Sequence, residues 1–332
     1  MKSNYSILRR MFVCFLFLVL SLLLAACNSS QEPDSYTVGV IMELGWLQPA
    51  YDGFKTSMAE LGYVEGENII YVYDESVTGG DQAAFEAEAK RMVEEDVDLI
   101  FAIGTLPARG AQTAVNGTDI PVVFDPVINP VEEGLVQSIA NPGGNVTGVQ
   151  VVNQASKGLE WALQIAPETK HVYIPYNPDD AFITMVLQSF FDSIPEQGVE
   201  LLPASAVTTP EQMAMTVETL PEDTIIFVGL LSANLEAGLN DLIEQADEYD
   251  IPIFSTGRGG DAPFAITDYT TTFAGQAEQG AHMVDRIFRG AKAAETPVET
   301  AEYFLFVNLK AAESYDVEIS DEILNQAHNV TR

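Results

Sequence analysis

Asp98-Leu99-Ile100-Phe101-Ala102-Ile103-Gly104-Thr105 opens the stretch that decides the fold, and Ile120-Pro121-Val122-Val123-Phe124-Asp125-Pro126 closes it. The run from Leu99 to Ile103 is apolar and rich in strand formers, which is the pattern of a strand buried on both faces. Gly104 and Thr105 break it, Leu106 to Val115 carries the small and apolar residues of a short helix, and Ile120 to Phe124 is a second strand that Asp125-Pro126 should end. Strand, loop, helix and strand in that order require parallel pairing. The loops after Gly104 and Phe124 then lie at the carboxyl edge of one sheet, where open α/β sheets hold their ligands.

The unit recurs. Thr224-Ile225-Ile226-Phe227-Val228-Gly229 is a second buried run, followed by a helical pattern to Tyr249 and by Ile251-Pro252-Ile253-Phe254. Before the first copy come a strand at Thr37–Met42, a helix from about Pro49 to Leu61, a strand at Asn68–Tyr73 and a helix at Asp81–Glu95. Before the second come His171–Pro175, Asp180–Ile194, Val199–Pro203 and Pro210–Leu220 in the same alternation. The expected architecture is α/β, with two doubly wound parallel-sheet lobes. Val131–Ile139 and Phe273–Phe288 read as further helices, Phe264–Asp268 as a strand and Tyr303–Val307 as the last strand. The expected division is 36–149 with 270–300 for lobe 1, and 150–269 with 301–332 for lobe 2.

Residues 1–26 read as a signal peptide. Lys2, Arg9 and Arg10 precede an uncharged run from Met11 to Leu24, too short for a span, that ends in Leu24-Ala25-Ala26-Cys27. Leu-Ala-Ala-Cys resembles a bacterial lipobox, which would make Cys27 the lipid-bearing first residue and 27–35 a short tether. Cys14 leaves with the leader, so no disulfide can form within the remainder. The chain carries 49 acidic residues, and without the leader's three basic ones it keeps 12 of 15, a net charge of −37. That charge argues against a nucleic-acid partner.

Enzyme chemistry finds no support. His171, His282 and His328 are scattered, no Gly-x-Ser-x-Gly elbow or His-Glu-x-x-His pair occurs, and the Asn141–Gly148 turn cluster lacks a phosphate-loop spacing. No metal-ligand spacing and no cofactor motif is present. The candidate ligand residues are those that follow strands: Trp46, Gln48, Thr105, Arg109, Asp125 and Asn129 from the first lobe, Tyr176, Asp180, Phe182, Ser232 and Arg258 from the second. Trp46, Tyr176 and Phe182 could sandwich a planar or sugar-like ring, or pack within one lobe; each arginine could meet an anionic group or pair with surface carboxylates. Thr105 and Ser232 could equally be helix caps.

Gly53-Phe54, Leu61-Gly62-Tyr63-Val64-Glu65-Gly66-Glu67-Asn68, Val97-Asp98-Leu99-Ile100, Gly134-Leu135-Val136, Pro142–Gly148 and Tyr176-Asn177-Pro178 follow one another in an order that resembles a known family. It is that of the ABC transporter substrate-binding lipoproteins, which includes tryptophan- and tyrosine-binding members and has the type I periplasmic binding protein fold. The resemblance implies a monomeric, lipid-anchored receptor outside the cell membrane that closes two hinged lobes on a small molecule. It implies delivery to an ABC permease and its ATPase. Where the family shows Glu-His-Pro-x-Leu-Asp this chain has Glu43 to Gln48, and Asn129 and Ser232 stand where relatives offer aspartate. A ring-bearing ligand with an anionic or polar group is therefore expected, with aromatic amino acids as one alternative and a sensory receptor domain as another.

Overall fold

The computed structural model describes residues 35–332 apart from Asp261, and leaves out the side chains of Trp46 and Phe182. The expected signal peptide, the tether and Cys27 lie outside the described residues. Strand β1 (Tyr36–Met42) leads to α1 (Gln48–Glu60), β2 (Ile69–Tyr73), α2 (Gln82–Glu94), β3 (Leu99–Ile103), α3 (Thr105–Ala114), β4 (Val122–Ile128) and β5 (Val146–Val151). A second series follows: α4 (Ala155–Ile165), β6 (His171–Tyr173), α5 (Ala181–Ser193), β7 (Glu200–Leu201), α6 (Pro210–Thr216), β8 (Thr224–Val228), α7 (Ala233–Glu236), α8 (Leu239–Glu248), β9 (Ile253–Thr256) and β10 (Thr267–Thr270). The chain ends with α9 (Phe273–Phe288), β11 (Glu299–Thr300), β12 (Phe304–Asn308), α10 (Leu309–Ser314), α11 (Asp321–Leu324) and β13 (Asn329–Thr331).

Two sheets result, ordered β11-β5-β4-β3-β1-β2 and β13-β12-β10-β9-β8-β6-β7. All five residues of β3 are buried, as are all five of β8, which explains why both read as unbroken apolar runs. In the first sheet β1, β3, β4, β5 and β11 pair in parallel. In the second, β12 runs antiparallel to β10, and β13, parallel to β12, shares its reversed direction. The two sheets share the chain in an interleaved way, since β11 returns to the first sheet before β12 and β13 complete the second.

Packing follows from residue size. Helix α9 lies along α1, where Gly53 faces Ala277 so closely that an added Cβ would stand 3.0 Å from the alanine methyl. Phe54 of α1 stacks on Phe101 of β3 with ring centroids 3.8 Å apart. Hydroxyl and carboxylate caps start the helices: Asp81 accepts from Ala84 N, Asp180 from Ile183 N, Thr209 from Gln212 N and Thr272 from Gly275 N.

Four sequence readings need correction. Val131–Ile139 is not a helix but a series of turns, because Gly134 sits at φ 70° and the N–H groups of Leu135 and Val136 both return to Pro130 O. Asp125-Pro126 does not end its strand: β4 continues to Ile128, its register with β5 shifting between Phe124 and Val127, where the proline has no N–H to donate. Phe264–Ile266 belongs to a turn, and the strand there begins at Thr267. Tyr303–Val307 does not hold the last strand, since β13 pairs with β12 beyond it.

Candidate functional site

The topology alone locates the site. Strands β5 and β11 run parallel and both leave the first sheet at its carboxyl edge, at Val151 and Thr300. The segment after β5 enters α4, which precedes β6 and so starts above the carboxyl edge of the second sheet. The segment after β11 enters β12, whose antiparallel direction also puts its first residue at that edge. Likewise β10 leaves the second sheet by its carboxyl edge and enters α9, packed on β4 and β5 of the first. All three connections therefore join one carboxyl edge to the other, and the loops at those edges border a common cleft.

At the first sheet's edge, Trp46 lies in the single 3-10 turn Gly45–Leu47. Gln48 is the first residue of α1, and its amide donates to Asp52 Oδ1 at 3.0 Å. Thr105 is the first residue of α3. Arg109, one turn further on, is half exposed and its Nη1 stands 3.4 Å from Glu133 Oε2. Asn129 occupies left-handed backbone at φ 53° and accepts at its carbonyl from Glu133 N. Asp125 is fully buried, neither carboxylate oxygen has a hydrogen-bond partner, and Oδ2 is 3.3 Å from where a Cβ on Gly280 would stand. It faces the underside of α9, in the interior of the lobe. Burial holds its carboxyl well above the usual carboxylate range.

Sequence reasoning gave Glu43 no role, yet this side chain organises the first lobe's edge. Its Oε2 accepts from Leu106 N at 3.3 Å and the Thr105 N–H also supports it, so the carboxylate sits on the first turn of α3. The reach depends on Gly104, where a Cβ would come within 2.3 Å of that oxygen. Burial pushes the Glu43 carboxyl up and the two backbone donors pull it down, burial having the larger effect. The pairing was hidden because it needs the β1–β3 register, Met42 opposite Ile103, which places Glu43 beside Gly104. A polar residue directly after a buried strand was the available signal.

In the second lobe Tyr176 is half-buried against Phe191, ring centroids 4.9 Å apart, and its backbone bridges to Ser205 and Val207. Asp180 caps α5 through Ile183 N at 3.1 Å, and Phe182 is the second residue of that helix. Ser232 precedes α7 with 9 % of its surface exposed and its hydroxyl unpartnered. Arg258 grips Glu236 through both Nη atoms, at 2.9 and 2.5 Å, a bidentate pair of which the arginine side is 18 % exposed. Among the described residues no cluster of three or more metal-ligating side chains gathers. None of the helices among them is long and apolar enough to cross a membrane.

The model of the ABC transporter substrate binding protein family matches residues 36–331. A tyrosine-binding protein of Clostridioides difficile is 24 % identical over 300 residues, covering 88 % of this chain and 85 % of that protein. Two solved structures are similar in fold. One, from Streptococcus pneumonia, is an ABC domain in complex with L-Trp; it superposes with a TM-score of 0.67 at 23 % identity, over 89 % of this chain and 99 % of its own. The other is the ligand-free, open form of a substrate binding protein with adhesive properties from Clostridium difficile, with a TM-score of 0.75 at 21 % identity over 90 % and 99 % of the two chains. With two interleaved α/β lobes meeting at their carboxyl edges and a family match from the first strand to the last, this chain belongs to the ABC transporter substrate binding protein family.

Proposed function

We propose that the chain is a lipid-anchored receptor that holds a small solute between its lobes and presents it to an ABC permease with its ATPase. The observation that carries this reading is the set of three connections, each joining one carboxyl edge to the other. A solute at those edges touches both lobes, and the lobes can close by small backbone rotations in short connecting segments. The solute we favour bears a ring and a polar or anionic group, held by Trp46 and Arg258, with the Ser232 hydroxyl and the Asn129 amide as further partners.

An aromatic amino acid is the second reading, supported by the Glu43 carboxylate, which could receive an ammonium group, and by the tyrosine-binding relative. Calorimetry separates the two. Free tyrosine and tryptophan should bind weakly or not at all, and a micromolar or tighter dissociation constant for either would restore the amino-acid reading. For the solute that co-purifies with the protein, identified by mass spectrometry, Trp46→Ala and Arg258→Ala should each weaken binding at least about tenfold, roughly 1.4 kcal/mol. The anchor has its own test: Cys27→Ser should move the protein from the membrane to the soluble fraction with its fold intact. Native protein carrying an unmodified Cys27 would refute the anchor.

A further inference from the structure

Outside the cleft, one carboxylate has an environment that nothing above explains. Asp268, in the middle of β10, is 3 % exposed and accepts three hydrogen bonds, from Ser255 Oγ at 3.1 Å, Arg258 N at 3.4 Å and Gly260 N at 2.9 Å. All three donors are neutral. Among the described residues no cation forms an ion pair with it; the guanidinium of nearby Arg258 is bonded to Glu236 and acts on Asp268 only through its charge at longer range. Three N–H and O–H donors suit an ionised carboxylate, whereas burial pushes the group up from its ordinary range. The three donors and the charge of Arg258 offset part of the cost of forming the negative charge, and burial remains the larger effect.

Beside it is space. The chain crosses from β9 to β10 by a loop instead of a helix, and between that loop and β12 lies a cavity of about 180 Å³ lined by Gly260, Asp268, Phe306 and Asn308 among others. Phe306 stands directly opposite Asp268 in the antiparallel pair, so its ring is on the same face of the sheet. The ring also supports the loop, for a Cβ on Gly260 would come within 2.6 Å of it. Of the two Asp268 oxygens, Oδ2 accepts one of the three bonds and has room for another donor.

We propose that this cavity binds a small organic monocation of the alkylammonium class, with Asp268 as the counter-charge and the Phe306 ring as one wall. Each property of the site answers one of the ligand. The buried carboxylate supplies the charge and an acceptor, the aromatic wall favours a cation with apolar substituents, and the volume exceeds the roughly 150 Å³ that accepts a benzene ring. A metal ion fits poorly, since among the described residues Asp268 is the single carboxylate of a lining that otherwise holds a ring, small apolar residues, Asn308 and Thr331. The chain's net charge of −34 raises the local concentration of any cation.

Thermal unfolding and calorimetry of the full-length chain in detergent, titrated with methylammonium chloride against sodium chloride at matched ionic strength, test this. Methylammonium should give a saturable stabilisation and sodium none beyond a shallow, non-saturating rise. Asp268→Asn should abolish the saturable effect, and Phe306→Leu should raise the dissociation constant at least about threefold. Asp250→Asn, which removes one exposed charge elsewhere, should behave as the unaltered protein. If Asp268→Asn does not fold, Phe306→Leu decides. Equal saturable curves for sodium and methylammonium, or a methylammonium effect that survives in Asp268→Asn or is unchanged in Phe306→Leu, would overturn the proposal.

Discussion

Asp125→Leu should stabilise this protein, an unusual outcome for placing an apolar residue where an acid stood. Leucine has the same number and branching of side-chain heavy atoms as aspartate, so the site between β4 and α9 is filled without a new cavity. What is lost is a carboxyl group with no hydrogen-bond partner on either oxygen. An unpartnered buried polar group costs about 1–3 kcal/mol by mutational measure, and that is the expected gain in urea unfolding at mildly acidic pH. The gain should depend on pH in a definite sense. The folded carboxyl is raised far above its ordinary value. Below that ordinary value both states hold the proton. As pH rises past it the unfolded chain releases a proton that the folded chain must keep, so the native protein loses stability up to the folded value. Asp125→Leu removes this dependence, and the difference between the two proteins should widen as pH rises above the ordinary carboxyl range. A variant less stable than the parent, or a difference that does not change with pH, would show that Asp125 has a partner after all.

Gly104→Ala should have the opposite effect and a larger one. Gly104 lies at φ 111°, ψ 169°, a region that residues with a side chain rarely enter, at a cost of about 1–3 kcal/mol. The added methyl would also strike the Glu43 carboxylate and displace it from the first turn of α3. A loss of about 2–4 kcal/mol is expected from the two effects together. A double-mutant cycle separates them. In Glu43→Ala/Gly104→Ala the conflict with the carboxylate is gone, while the backbone cost and the 2.7 Å approach to the Cβ of residue 43 remain, so the double variant should lose less than the sum of the single ones. Strict additivity would mean that Glu43 does not touch Gly104.

The reading of the sequence succeeded where local pattern and final environment agree. The runs Leu99–Ile103 and Thr224–Val228 are buried on both faces and read as such. It erred where one chemical signal has two structural outcomes. Asp-Pro is a common strand terminator, but at the register shift between Phe124 and Val127 the interior strand β4 tolerates the missing N–H and continues. The apolar spacing of Val131–Ile139 suits a helix, while Pro130 and the left-handed Gly134 divert the chain into turns. The cleft was harder. Arg109 and Arg258 follow strands as expected, yet which carboxylate each meets, Glu133 or Glu236, is decided by contacts across loops distant in sequence. Glu43 and Asp125 show the same limit, since both depend on the register between neighbouring strands.

The return of β11 to the first sheet also bears on how the chain can be made. Glu299 pairs with Val149 and Thr300 with Gln150, so the first lobe takes its edge strand from the far end of the polypeptide, together with α9. As the chain emerges from the ribosome, residues 36–151 must wait, without the helix that covers Asp125 and Phe101, until the whole second series of strands has been synthesised. Neither half can be completed before the other is nearly finished. A ribosome-bound chain that stops at Thr270 has both lobes unfinished, the first without α9 and β11 and the second without β12 and β13, so both should be open to protease and the apolar face of β3 and β4 open to chaperones until α9 is made.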